Sequence, residues 1–173
     1  MGRLPSLGSL LLLALLVYVL LSGGDSEPSG DASPVEPASS LTAPVTDVVD
    51  GDTIEVEIDG ETEDVRYIGV DTPESVKPGE PVQCYGLEAS HLNERLVGGE
   101  RVRLTFDAEQ RDVYGRLLAY VRVTGGGPFV NAELVRRGYA RTLTIEPNDR
   151  FAARFDRLAQ DAADAGRGLW GVC

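Results

Sequence analysis

"TIEVEIDGETEDVRYIGVDTPE", residues 53–74, decides how this chain is read. Its first six residues alternate strictly. Ile54, Val56 and Ile58 fall on one face and Thr53, Glu55 and Glu57 on the other, which is the period of a half-buried strand. Asp59-Gly60 is a turn step that suits a tight hairpin, so a second strand returns through 62–70. That return strand places Arg66 on the same face as Ile68 and Val70, where a guanidinium is costly unless a partner or ligand compensates it. The strand then stops at Asp71-Thr72-Pro73-Glu74, since Pro73 fixes the backbone as it leaves the ladder.

Outward from this hairpin the alternation recurs at 101–106, with Val102, Leu104 and Phe106 inward, and at 115–123. A short strand at 44–49 opens the domain. Five strands of this size in antiparallel succession suit a small barrel. Three stretches read as helices. Residues 86–97 end at Gly98-Gly99, and residues 130–138 run from near Asn131 to Gly138. Residues 149–165 set Phe151, Phe155, Leu158 and Ala162 on one stripe, with Asn148 as N-cap. The expectation is an α+β domain, a five-stranded β-barrel with three α-helices packed on it.

The 173 residues allow one such domain and a tail rather than two domains. Residues 7–21, "LGSLLLLALLVYVLL", are apolar and follow Arg3. They fall short of the ~20 residues that span a bilayer. Segment 1–22 therefore reads either as an export signal or as a slightly short membrane anchor. Residues 23–42, rich in Ser, Pro, Gly, Asp and Glu, read as a flexible linker. The domain follows at 43–173.

Acidic residues outnumber basic ones 28 to 16, a net charge of −12, and Lys77 stands alone among arginines. This is not the basic stripe of an ordinary nucleic-acid binder. A polyanionic partner would need local compensation, from a divalent cation or from salt, since at ~1 M the Debye length is about 3 Å. The composition suits a salt-rich habitat. Cys84 and Cys173, an even pair in an exported chain, read most simply as a disulfide. It would close a ring of about 90 residues, worth about 4–5 kcal/mol at most; two free thiols are the alternative. A zinc site at the cysteines is disfavoured, because zinc wants four ligands and His91 is the only histidine, and multi-histidine chemistry is excluded.

"DGDT" (50–53) lies at the mouth of the first hairpin and "DTPE" (71–74) at the end of the second strand. At one end of a barrel, Asp52, Asp71 and the Thr72 carbonyl could form a hard oxygen site of the kind calcium accepts. Arg66 and Arg116 could grip a phosphate as planar donors, and Glu74 could take a proton from water. Together these are the parts of a metal-dependent phosphodiesterase. Singly, each acidic step is an ordinary polar turn, and each arginine could be a structural ion pair.

"VVDGDTIEV", "VRYIGVDTPE", "YGLEAS", "DVYGRLLAYV", "VNAELVRRGYA" and the closing "GLW" occur in an order and spacing that resemble the thermonuclease, or staphylococcal nuclease-like, family over residues 45–171. The resemblance implies an oligonucleotide-binding-type barrel with three helices. It implies calcium-dependent hydrolysis of DNA and RNA at the P–O5′ bond, leaving 3′-phosphate ends. Asp52 and Asp71 would ligate calcium by carboxylate and Thr72 by carbonyl, with Asp50 just beyond them. Glu74 would be the candidate general base, Arg66 and Arg116 would stabilise the five-coordinate phosphate, and Tyr114 would line the nucleotide pocket. The chain departs from the family where Thr144 and Glu146 stand in place of two pocket tyrosines. The loop 75–83 offers only Lys77. A monomer, secreted or held at the cell surface, is expected. The competing reading is a nuclease-like module of the cell envelope that binds nucleic acid without cutting it.

Overall fold

A computed structural model describes residues 39–76, 79 and 81–173. The expected signal or anchor at 1–22, most of the expected linker, and Lys77 lie outside the described residues. Among the described residues no helix is long and apolar enough to cross a membrane.

The hairpin that opened the sequence reading forms. Strands β1 (Ser40–Val48), β2 (Thr53–Ile58) and β3 (Glu61–Tyr67) pair in antiparallel order, with Ile54 opposite Val65 and Val56 opposite Glu63. After β4 (Gly69–Asp71) and helix α1 (Gly86–Val97) come β5 (Arg101–Thr105) and β6 (Leu117–Val123). The barrel closes in the order β1-β2-β3-β6-β5. One seam differs from the expected antiparallel succession, because β3 and β6 run parallel, with Val65 opposite Leu117. A parallel seam needs a long crossover, and here α1 and β5 supply it. Alternation along each strand fills the interior. Ile54, Val56, Val65, Tyr67, Val102, Leu104, Ala119 and Val121 are all buried, and each fully buried aliphatic contributes roughly 1.5–3 kcal/mol relative to exposure.

Several boundaries differ from the sequence expectation, three of them among the strands. Strand β1 starts at Ser40 rather than 44, because Ser40, Leu41 and Thr42 pair with Thr105, Leu104 and Arg103 of β5. The second strand of the hairpin is broken after Tyr67. Gly69 sits at φ 79°, and a Cβ there would meet the Phe155 ring at 2.7 Å. The chain then turns into β4, which pairs with β7 (Arg141–Leu143) outside the barrel. The expected strand at 115–123 starts at Leu117, since residues 112–116 form a tight turn in which Gly115 N–H donates to Asp112 O at 3.0 Å.

Helices α2 (Val130–Arg136) and α3 (Ala152–Asp164) cover one side, and a short α4 (Leu169–Val172) follows. Tyr120, Phe129, Phe151 and Phe155 pack their rings at centroid distances from 4.6 to 6.3 Å. Helix α3 starts three residues after the expected 149, with Phe151 at its N-cap position. Asn148 is not its cap. The buried Asn148 amide instead accepts from Glu109 N–H and donates to Glu109 O, both at 2.8 Å. The expected disulfide is present: Cys84 and Cys173 are bonded, with Cα atoms 6.0 Å apart.

Candidate active site

Asp52 is carried into the barrel mouth by the turn before β2, and only 4% of its surface stays exposed. The turn is locally determined: Asp50 Oδ1 accepts from Asp52 N–H at 3.0 Å, an Asx-type closure. Gly51 is required because a Cβ would meet Thr72 Oγ1 at 2.6 Å. That close approach lets Thr72 reach over, so both its N–H and its hydroxyl donate to Asp52 Oδ2, at 2.6 and 2.8 Å. The two sequence segments "DGDT" and "DTPE" are thus joined at one end of the barrel.

Arg66 joins the group from β3. Its Nη1 lies 3.1 Å from Asp52 Oδ1 and its Nη2 3.1 Å from Asp71 Oδ1. Nη1 also donates to Val70 O at 2.9 Å and to Tyr67 O at 3.2 Å. These partners offset the cost of placing a guanidinium near the core. Burial pushes the Asp52 carboxyl up to about 6, against the lowering pull of Arg66. A buried carboxylate in that position favours an added positive charge nearby.

Oδ1 of Asp52 and Oδ1 of Asp71 converge on one cationic group, the Arg66 guanidinium, and every candidate ligand is oxygen. Among the described residues no group of three or more His, Cys, Asp or Glu side chains is spaced to hold a metal ion. Asp52 and Asp71 are the two expected ligand carboxylates that the fold brings together, each paired with Arg66.

Arg116 reaches the same region from the turn before β6. Its Nε donates to Asp112 Oδ2 at 2.8 Å, and its Cζ lies 5.6 Å from the centroid of the Tyr114 ring. Burial tends to raise the Asp112 carboxyl, but the Arg116 and Tyr114 hydrogen bonds outweigh it and hold the carboxyl below its ordinary value. Among the described residues the Nη atoms of Arg116 have no partner, so they stay available to a phosphate. Arg66, Arg116 and Tyr114 line one pocket of about 350 Å³. Tyr114 is 83% exposed and forms its rim.

Glu74 stands apart from that pocket. Its Oε1 accepts from Ser75 and Val76 N–H, each at 2.9 Å. Its main chain is clamped by Gln83, whose side-chain oxygen accepts from Glu74 N–H at 3.1 Å and whose N–H donates to Glu74 O at 2.8 Å. Gln83 directly precedes the disulfide-bonded Cys84.

Thr144 and Glu146, the positions expected to replace two pocket tyrosines, do not line the pocket; Leu143 and Ile145 do. The offset is one residue. Leu143 pairs with Gly69 across β4 and β7, and alternation then turns Ile145 to the same side. Period-2 reading of 141–145 would have found both. Sequence reading also missed Asn93, buried in α1, which accepts from Tyr67 Oη at 2.9 Å and donates to Asp50 O at 2.8 Å. Its signal was an asparagine among the apolar positions Ala89, Leu92 and Val97. Asp112 carried no signal beyond its turn.

A sequence profile described as "Staphylococcal nuclease homologue" matches residues 64–172. The chain is 39% identical over 163 residues to a thermonuclease of Staphylococcus intermedius, covering 92% of this chain and 94% of that protein. It is 41% identical over 133 residues to a thermonuclease of Staphylococcus hyicus, covering 77% and 78%. It is 43% identical over 124 residues to endonuclease YncB of Bacillus subtilis, covering 70% of this chain and 58% of that protein.

Proposed function

The chain belongs to the staphylococcal nuclease homologue family, and from that membership we propose that it is a calcium-dependent nuclease hydrolysing DNA and RNA at the P–O5′ bond to leave 3′-phosphate ends. The observation that carries the reading is the convergence of Asp52, Asp71 and Arg66 beside a pocket that Arg116 also lines.

Asp52, Asp71 and the Thr72 carbonyl hold the cation. Bound calcium supplies charge neutralisation at the phosphate and a polarised water. Arg66 is held beside the pocket through Nη1 and Nη2, and these donors turn to the phosphate as the Asp52 and Asp71 carboxylates engage the cation. Arg116, steadied at Nε by Asp112, brings its Nη donors to the same phosphate. Glu74 takes a proton from the water attacking in line, its carboxyl oriented by two main-chain N–H donors at Oε1. The exposed apolar groups Val113, Leu143 and Ile145, with Tyr114, offer a sequence-tolerant surface to a base.

The exposed disulfide supports an oxidising compartment. This accords with a secreted or surface-held monomer in which residues 1–22 serve as signal or anchor and 23–42 as a linker. The test is cleavage of single-stranded DNA and of RNA with calcium or a chelator, at low and high salt. Calcium-dependent cleavage leaving 3′-phosphate ends, lowered about 100-fold or more in Glu74→Gln, is expected. A folded protein that binds both nucleic acids and cuts neither is the outcome that would replace this reading with a binding module.

A further inference from the structure

The barrel carries a second concentration of positive charge outside the cleavage pocket. Arg101 and Arg103 of β5 and Arg122 of β6 are exposed, alternating with the buried Val102, Leu104, Val121 and Val123. The register sets Arg103 directly opposite Arg122. Antiparallel partners lie about 4.5–5.5 Å apart at Cα, and like charges so placed destabilise a sheet. Arg101 stands on the same face, two residues or about 7 Å along the strand. From α3, Arg154 joins them: its Cζ lies 5.3 Å from the Phe129 ring centroid, and that of Arg122 lies 5.0 Å from the same centroid.

Among the described residues none of these four guanidiniums has a carboxylate within ion-pair distance or a hydrogen-bond acceptor. Elsewhere among the described residues Arg66, Arg111, Arg116, Arg136, Arg137 and Arg150 find acidic partners and Arg95, Arg141, Arg157 and Arg167 do not, so what sets these four apart is that they are gathered on one face through β5–β6 register and the shared Phe129 ring. Acids outnumber bases 28 to 16 in this chain, so four arginines gathered without one form a local positive field in an otherwise repelling molecule. Stacking on Phe129 restrains two of the guanidiniums and leaves their edge N–H donors to an outside acceptor. Strand β6 links the face to the pocket. Arg116 precedes it, Arg122 is its penultimate residue, and the two are about 20 Å apart along the barrel wall.

We propose that Arg101, Arg103, Arg122 and Arg154 form an exosite that grips the phosphate backbone of a polynucleotide away from the scissile bond. This extends the nuclease reading to the mode of substrate capture. It identifies what offsets the global repulsion between a chain of net charge −12 and a polyanion. A long strand engages both the pocket and the exosite, whereas an oligonucleotide of a few residues engages the pocket alone.

The test is equilibrium binding of fluorescently labelled single-stranded DNA to the full chain in chelator, so that affinity is read without turnover. Strands of about 16 and about 4 nucleotides, the range of site sizes for one such barrel, are compared between wild type and R103Q/R122Q. The double variant is expected to lose roughly tenfold or more in affinity for the long strand at low salt and nothing for the short one. Its plot of log affinity against log salt should flatten by about 1.4, at ~0.7 per phosphate contact. Because the variant removes a like-charge pair, its melting temperature should be equal to or above wild type, which separates lost binding from lost fold. If R103Q/R122Q fails to fold, R154Q read in the same way decides. Unchanged long-strand affinity, an equal loss for both strands, or displacement of the long strand by polyglutamate at equal charge would each overturn the proposal. An exosite effect in a chain that binds but does not cut would leave this inference standing while removing the nuclease reading.

Discussion

Arg116, the phosphate-binding residue of the proposed mechanism, is held in place by a side chain to which that mechanism gives no chemical step. Asp112 closes the turn through Tyr114 and Arg116 N–H and takes Arg116 Nε with its other oxygen. Asp112→Ala should leave the fold intact and lower kcat by about 100-fold, the scale of a displaced catalytic group. Unchanged kcat would mean that Arg116 holds its place without Asp112. Gly51 makes a steric claim of the same local kind. In Gly51→Ala the new Cβ meets Thr72 Oγ1 at 2.6 Å, so Thr72 must withdraw from Asp52. We expect about 1–3 kcal/mol of destabilisation by overpacking together with weaker calcium binding in titration calorimetry. A fully stable variant with normal calcium affinity would show that Thr72 can shift without cost.

At the scale of elements, α2 is held to itself by charge and to the barrel by an amide. Glu133 accepts from both Arg136 and Arg137, at 2.6 and 2.9 Å, while the buried Asn131 bonds Val121 N–H and Ile68 O. The Arg136 hydrogen bond leads in holding the Glu133 carboxyl below its ordinary value, and burial opposes it. A depressed carboxyl contributes stability that is present above the unfolded value near ~4.3 and is lost as pH falls through the lower folded value. The arginine partners are nearly half exposed, so the contribution should stay under ~1 kcal/mol. Denaturant titrations of wild type and Glu133→Gln should differ by that amount near neutrality and converge in acid. A difference that grows in acid would reverse the assignment. The same element scale exposes the limit of boundary reading. The second hairpin strand looked continuous through 62–70, yet Phe155 from a helix some ninety residues later occupies the space beside Gly69.

For the whole molecule, the disulfide does more than close a long ring. It fastens the C-terminus to the residue after Gln83, which holds both main-chain groups of Glu74. Cys84→Ser should lower the oxidised melting temperature, by up to about 4–5 kcal/mol in stability terms. It should also reduce kcat at temperatures where the variant is fully folded. A lower melting temperature with unchanged kcat would confine the bond to stability and leave Glu74 independent of it. The exosite belongs to this scale too, because β5, β6 and α3 supply its four arginines and no single segment contains them.

By itself the sequence determined the strands that alternate, the apolar stripe of α3 and the family through six ordered motifs, and it favoured the pairing of two cysteines that the structure shows. Each depends on local period, turn chemistry or residue type, all of which can be read along the chain. It also made Asp52, Asp71, Thr72, Arg66 and Arg116 a candidate group, since two turns and two strand ends could be supposed to meet. Only the tertiary structure decided that Arg66 bridges both carboxylates, that Asn148 serves Glu109 instead of a helix, and that Leu143 and Ile145 line the pocket. The same holds for Arg103 lying opposite Arg122. These depend on strand register and on which distant groups satisfy a buried donor or acceptor. A one-residue slip changes every such partner and leaves the hydrophobic composition as it was.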